Sequence, residues 1–119
     1  MRYVVLIASE PGEWEAADEE ARQELFDAHH AFERFVDEHG SRRESAALAD
    51  AETATTIRHR AGGPVVTDGP FVELTEQVGG YYDVELPDLD TAIAAAKLLP
   101  RSYTVEVRPT VQVEGYEGR

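Results

Sequence analysis

Cysteine is absent from the chain, which excludes disulfide bonds and zinc sites built on cysteine ligands. No run of apolar residues approaches the roughly 20 that are needed to span a lipid bilayer. The stretch 1–13 has a short apolar segment without a small-residue cleavage pattern, so we interpret it as a first strand and not as a signal peptide. We therefore expect a cytoplasmic protein that makes no membrane contact.

Basic residues are scarce: 11 lysine and arginine residues stand against 24 aspartate and glutamate residues, for a formal net charge of -13. Proteins that bind nucleic acid directly need basic side chains to neutralise phosphates. The charge balance argues against that class of protein, and also against docking on an anionic membrane surface. We interpret the acidic charge as a solvated surface that keeps the protein in solution.

The length of 119 residues predicts a single domain, residues 1–119. A chain of this size can bury roughly two-thirds of the surface that its unfolded form exposes, so it needs no disulfide or metal ion to fold. We expect the segment 113–119 to be a loose tail.

Two segments have the three- and four-residue apolar spacing of an amphipathic helix. The first runs from about residue 17 to residue 39, and Gly40 is predicted to cap it in the left-handed conformation. The second begins after Asp88 or Asp90, either of which can cap it, and continues to about Leu99. Pro100 ends it.

Six other stretches are predicted to be strands because they are rich in β-branched residues or alternate in polarity: 2–8, 43–49, 53–60, 64–67, 81–87 and 103–113. Residues 55–60 should pair with residues 64–68 as a hairpin. The order predicts an α+β fold, the ferredoxin-like βαββαβ plan with an extra hairpin strand. Residues 2–8 are apolar on both sides, whereas the helices cover only one sheet face. We therefore expect a second subunit on the other face, in a homodimer.

Residues 67–85, TDGPFVELTEQVGGYYDVE, combine a DGPF core with a following EQVGGYY. With the start MRYVVLIASEP, the segment LPDLDTAIAAAKLLP and the stretch VEVRPT, they make the chain resemble the YCII-related family, in its DGPF-domain branch, over nearly its whole length. The resemblance implies a dimeric α/β barrel of ferredoxin-like subunits. It also implies a link to extracytoplasmic-function sigma factors, because genes of DGPF members often lie beside theirs. In the wider family a helix histidine and an aspartate are regarded as a catalytic pair, and one branch removes chloride from a hydroxylated ring.

His29 lies at the edge of the apolar stripe of the first predicted helix, whereas His30 points to solvent. The resemblance implies a catalytic role for His29, because the family histidine precedes the helix-ending glycine by the same spacing that separates His29 from Gly40. A half-buried neutral imidazole near a carboxylate suits acid–base work near pH 7. The alternative is a structural histidine that bonds a backbone carbonyl.

Asp68 is the aspartate of the DGPF motif. One interpretation places its carboxylate against His29, where it would fix the tautomer and raise the pKa of the imidazole. The other interpretation is an Asx-turn, in which Asp68 caps its own turn and Gly69 adopts a φ that other residues avoid. Pro70 would stiffen this loop, and Phe71 could form the wall of a ligand pocket.

Three further residues are candidates for ligand binding. Arg58, in the basic cluster of residues 58–60, could receive an anion or could pair with surface carboxylates. Tyr81 and Tyr82 supply one hydroxyl to each face of their strand, where one could line the pocket. The sequence has no metal-binding pattern, and its glycine pairs match neither nucleotide-binding motif, so we expect no metal and no cofactor.

Two functional hypotheses follow from these observations. The first is a homodimer that binds a small anionic or aromatic molecule and uses His29 and Asp68 for acid–base or lyase-type chemistry. The second is a non-catalytic interaction or ligand-sensing module that acts with a sigma factor, since an acidic surface suits a basic partner.

Overall fold

The computed structural model describes residues 1–116 and shows an α+β chain whose main elements follow the predicted order. The strands are β1 (Arg2–Ser9), β2 (Ser41–Ala47), β3 (Thr55–Arg60), β4 (Gly63–Asp68), β5 (Gln77–Glu85) and β6 (Thr104–Pro109). The helices are α1 (Glu13–Ala16), α2 (Glu19–His39) and α3 (Leu89–Ala96), and a 3₁₀ turn covers Ala51–Thr53.

Four of the strands form an antiparallel sheet in the order β2-β5-β1-β6. Helix α2 connects β1 to β2, and α3 connects β5 to β6, which is compatible with a ferredoxin-like fold. Strands β3 and β4 pair with each other in a separate two-stranded sheet. The predicted hairpin of residues 55–60 with residues 64–68 is therefore confirmed.

The core lies between one face of the four-stranded sheet and the two longer helices. Tyr3, Val5 and Ile7 alternate along β1 and are buried on this face, because successive side chains of a strand point to opposite sides. Phe32 and Val36 of α2 are fully buried against them. The remaining core residues come from β5, from α3 and from the segments that flank α3: Tyr82, Val84, Leu86, Ala92, Ala95 and Leu99.

The opposite sheet face has no helix over it among the described residues. This side carries Val4, Leu6, Ala8 and Tyr81, which we call the open sheet face. The Arg2–Asp83 ion pair and Glu106 lie beside these residues on the same side of the sheet. Leu6 pairs with Tyr81 across the β1–β5 ladder, and all four residues of the open sheet face are partly exposed. The sequence-based expectation that β1 is apolar on both sides is confirmed, and one of those sides remains accessible in the single chain.

Helix α2 begins where a side chain satisfies one of its first backbone N–H donors. The carboxylate of Asp18 accepts a hydrogen bond from the backbone N–H of Ala21 at 2.8 Å. Aspartate at this position supplies a partner for an N–H group that has none within the helix. The helix therefore starts at Glu19, two residues later than predicted.

Gly40 follows the last residue of α2, but for a different reason from the one predicted. Its φ of -171° is extended, so the predicted left-handed cap is wrong. Glycine fits here because a Cβ at this position would lie 1.9 Å from the carbonyl oxygen of Glu85. The close approach of the helix end to β5 explains the glycine.

Other element ends also differ from the prediction: β2 is Ser41–Ala47 instead of 43–49, and β6 ends at Pro109 instead of residue 113. Strand β5 starts at Gln77 instead of residue 81, since Gly80 already pairs with Ala47 of β2. Helix α3 ends at Ala96 instead of about Leu99. After it, the N–H group of Leu99 donates to the carbonyl three residues earlier, that of Ala96, at 3.1 Å, as in a 3₁₀ turn.

Two further expectations concern the C-terminal tail and contact with a membrane. Residues 113–116 form no helix or strand, and the rest of the predicted tail lies outside the described residues. No helix within residues 1–116 is long and apolar enough to cross a membrane.

Candidate functional site

His29 lies on the inner side of α2, where it is half-buried between two tyrosine hydroxyl groups. Its Nδ1 is 2.9 Å from the hydroxyl oxygen of Tyr82, and its Nε2 is 3.1 Å from that of Tyr103. Tyr82 belongs to β5, and Tyr103 directly precedes β6. The imidazole therefore bridges the helix to β5 and to the residue before β6, and neither ring nitrogen bonds a backbone carbonyl.

A carboxylate extends this arrangement beyond Tyr82. The hydroxyl of Tyr82 donates to Oε2 of Glu33 at 2.8 Å. The other oxygen of Glu33 lies 3.5 Å from Nη1 of Arg42, on β2. We call the connected set of Tyr103, His29, Tyr82 and Glu33 the His29 relay.

Arg42 is itself held in place by a second acidic residue of α2. Its Nε and Nη2 donate to the two carboxylate oxygens of Asp37, both at 3.0 Å. This forked pair fixes the plane of the guanidinium. Arg42 is partly exposed, so its ion pair with Glu33 adds little to the free energy of unfolding. We expect its main role to be to orient the Glu33 carboxylate.

The surroundings favour a neutral imidazole. Burial lowers the pKa of His29 from its ordinary value, and the nearby Glu33 carboxylate opposes part of this shift. Burial also raises the pKa of Tyr82, to which the hydrogen bond to Glu33 adds. The pKa of Tyr103 is raised by burial and by Glu13. At neutral pH the relay therefore holds a neutral base between two protonated phenols.

Two open clefts lie beside the relay. The larger has a volume of about 980 Å³ and lies between the β1–α1 loop, α2 and the α3–β6 connection. His29 does not line it, but the preceding residue on the helix, Ala28, does, and so does Ser102 next to Tyr103. Tyr103 itself lines the smaller cleft, of about 340 Å³. A molecule in the smaller cleft would therefore contact the Tyr103 end of the relay.

Asp68 and Phe71 lie away from this cluster. We call residues 55–74, which comprise β3, β4 and the loop after them, the DGPF arm. Asp68 is the exposed last residue of β4, and no hydrogen bond joins it to His29 among the described residues. Gly69 has a φ of 102°, which confirms the predicted glycine turn. Phe71 is 73% exposed, so it does not line a pocket of the single chain.

Arg58 acts inside the DGPF arm. Its Nη2 donates to the backbone carbonyl of Phe71 at 2.7 Å, which ties the loop to β3. The hydroxyl of Thr56 similarly donates to the carbonyl of Gly69 at 2.6 Å. These bonds give the DGPF loop a defined conformation although its surface is exposed.

The structure separates the two tyrosines as predicted. Tyr82 points to the core and belongs to the His29 relay, whereas Tyr81 lies on the open sheet face.

Among the described residues, no group of three or more histidine, aspartate or glutamate side chains is placed to hold a metal ion.

Sequence reasoning missed Glu33 and Tyr103. Glu33 follows His29 by one helical turn, and this i, i+4 spacing could have indicated a shared helix face. Tyr103 is 74 residues from His29 in the sequence, and no local pattern predicts their contact.

Comparison with known proteins places nearly the whole chain in one family. The family model described as "YCII-related domain" matches residues 1–113. An uncharacterized protein of Rhizobium meliloti (strain 1021) is 34% identical over 113 residues, which covers 92% of this chain and 91% of that protein.

Proposed function

The chain belongs to the YCII-related family, and we propose that it is a homodimer that binds a small aromatic or anionic molecule with His29 as its acid–base group. The observation that carries this proposal is the position of His29, which is neutral and half-buried, with one ring nitrogen hydrogen-bonded to Tyr103 at the edge of an open cleft. A base of this kind supports acid–base or lyase-type chemistry, in which it removes a proton from the bound molecule.

The proposed dimer forms a barrel in which the open sheet faces of two subunits meet. An apolar patch on one sheet face, opposite a face already covered by helices, supports a sheet-to-sheet contact. The DGPF arm also offers apolar side chains, with Ile57 61% and Val66 63% exposed. A second subunit would cover both surfaces.

Asp68 enters the proposal through the DGPF arm. Its exposed carboxylate could join His29 only if the arm of either subunit closed over the cleft in the assembled dimer. Charge supports such a closure, because Arg58 and Arg60 of the arm are exposed and the glutamates that line the cleft outnumber its two basic residues, Lys97 and Arg101. Phe71 would then form part of the wall around a ligand.

A ligand screen tests the proposal. Small carboxylic acids and small aromatic molecules would be tested by NMR against the wild-type protein, His29→Gln and His30→Gln. We expect at least one class to bind the wild type and His30→Gln equally, and His29→Gln about tenfold or more weakly, since a hydrogen bond to the ligand is lost. His30 is the matched control, because it is the adjacent exposed histidine of the same helix. Equal binding by all three proteins would contradict a role for His29.

The exposed apolar surface of the DGPF arm favours a second candidate function, a non-catalytic interaction module linked to an extracytoplasmic-function sigma factor. Phe71 and Leu74 are 73% and 64% exposed, which is unusual for side chains of this size unless another surface covers them. Hydrogen exchange of the purified protein distinguishes the candidates. Residues 71–74 lie outside the β3–β4 ladder, so their amides report on cover by another surface. Protection of residues 71–74 would support a homodimer that already covers the arm, whereas rapid exchange there would leave the arm available to another protein.

A further inference from the structure

The hydrogen bonds around His29 can have only one direction. Tyr82 has a single hydroxyl proton, and it donates that proton to Oε2 of Glu33 at 2.8 Å. The oxygen of Tyr82 must therefore accept the bond from Nδ1 of His29 at 2.9 Å. It follows that Nδ1 carries a hydrogen.

The other end of the imidazole then has a defined role. In a neutral imidazole with hydrogen on Nδ1, Nε2 is an acceptor. The hydroxyl of Tyr103, 3.1 Å from Nε2, is the donor that it faces. All the bonds of the His29 relay thus run the same way, from Tyr103 through His29 and Tyr82 to Glu33.

We infer that Glu33 is a positioning residue that acts through Tyr82 to hold His29 as the Nδ1–H tautomer, so that Nε2, beside Tyr103, is the basic atom of the site. This inference rests on the proposed function only in assigning a use to that atom; the tautomer itself is a property of the free protein. Glu33 is suited to the role because its two oxygens are divided between Tyr82 and Arg42.

The Nδ1–H tautomer determines where a substrate must approach. A proton can be taken only at Nε2, on the side where Tyr103 lines a cleft. When His29 gains that proton, Nε2 becomes a donor and the Tyr103 hydroxyl must turn round to accept. Tyr103 therefore responds to the protonation state of His29, and a ligand at Nε2 must displace its hydroxyl.

The experiment is a two-dimensional ¹H–¹⁵N correlation of the histidine rings in the uniformly ¹⁵N-labelled full chain at pH 7, without ligand. His29→Gln identifies the His29 signals. In the wild type we expect Nε2 to show the strong downfield shift of an unprotonated ring nitrogen, and Nδ1 to show the shift of a protonated one. The opposite pattern in the wild type would overturn the inference, whatever the variants do.

Glu33→Met provides the second arm, because methionine has nearly the same length as glutamate but cannot accept the Tyr82 proton. The Tyr82 hydroxyl would then be free to donate to Nδ1, and the tautomer ratio should move by about tenfold or more toward Nε2–H. Glu38→Met is the matched control, as an exposed glutamate of the same helix. If Glu33→Met keeps the ratio of the control, Glu33 does not position His29.

The result is separable from the fate of the proposed function. A wild-type Nδ1–H tautomer that responds to Glu33→Met, in a protein whose ligand binding ignores His29→Gln, would support the inference and contradict the proposed function. Ligand binding that depends on His29, in a protein whose His29 has the opposite tautomer, would support the proposed function and contradict the inference.

Discussion

Replacement of Gly40 by alanine is expected to lower the free energy of unfolding by about 3 kcal/mol, the upper end of ordinary overpacking effects. The added Cβ would lie 1.9 Å from the carbonyl oxygen of Glu85, a backbone atom that cannot turn aside as a flexible side chain could. Ser41, the next residue, pairs with Glu85 in the β2–β5 ladder, so relief of the clash would separate these strands. Urea unfolding followed by circular dichroism measures the loss.

Gly79→Ala is the control for this prediction. Gly79 lies inside β5, and a Cβ there would meet no atom within 4 Å. Its replacement should change the free energy of unfolding by no more than about 0.5 kcal/mol. If both variants lose the same stability, glycine content in general, and not the approach of the α2 end to Glu85, would explain the result.

Replacement of Leu6 by glutamate is expected to convert the proposed homodimer to a monomer. Leu6 lies in the middle of the open sheet face and pairs with Glu106 of β6, so each subunit would add an unpaired carboxylate beside an existing one in the contact. We expect the dissociation constant to rise on the order of 100-fold or more, which corresponds to about 3 kcal/mol. Sedimentation equilibrium measures it, with a mass of twice the 13.2 kDa chain for the wild type.

Leu89→Glu is the matched control for the dimer. Leu89 is 49% exposed at the start of α3, on the helix side of the sheet, where an acidic residue suits the positive end of the helix. This variant should remain dimeric. A wild-type protein that sediments as a monomer would contradict the proposed dimer, and a Leu6→Glu dimer as tight as that of Leu89→Glu would place the contact elsewhere.

The order of the main elements could be predicted because local signals determine it. The apolar spacing of α2, the alternation of β5 and the glycine turn at Gly69 depend on residues close together in the sequence. The left-handed cap at Gly40 was a wrong prediction for a physical reason. The demand for glycine there comes from Glu85, far along the chain, which a local rule for helix ends does not include.

The candidate site could be predicted only in part. His29 and Tyr82 were identified from the helix stripe and the strand alternation, and they are in contact. The spacing of Glu33 from His29 indicates a shared helix face, but the bond of Glu33 to Tyr82 and that of Tyr103 to His29 are tertiary contacts that no local pattern specifies. Pairing of His29 with Asp68 stays a prediction, because it depends on the position of the DGPF arm in the assembled protein.

The pKa of His29 links the site to stability. Burial lowers this pKa in the folded chain below the ordinary value of 6.5, so the unfolded chain binds a proton more readily. The contribution of neutral His29 to stability is then fully present above pH 6.5. It is lost progressively as the pH falls from there toward the folded-state pKa. His29→Gln should lack this part of the pH dependence.

The most direct test of the central claim, that His29 is held as a neutral base, is an NMR titration of its ring carbon-bound protons in the native protein. The account predicts a midpoint below pH 6.5 for His29. A His29 midpoint at or above 6.5 would contradict it, because the imidazole would then gain more from its charged form than burial costs.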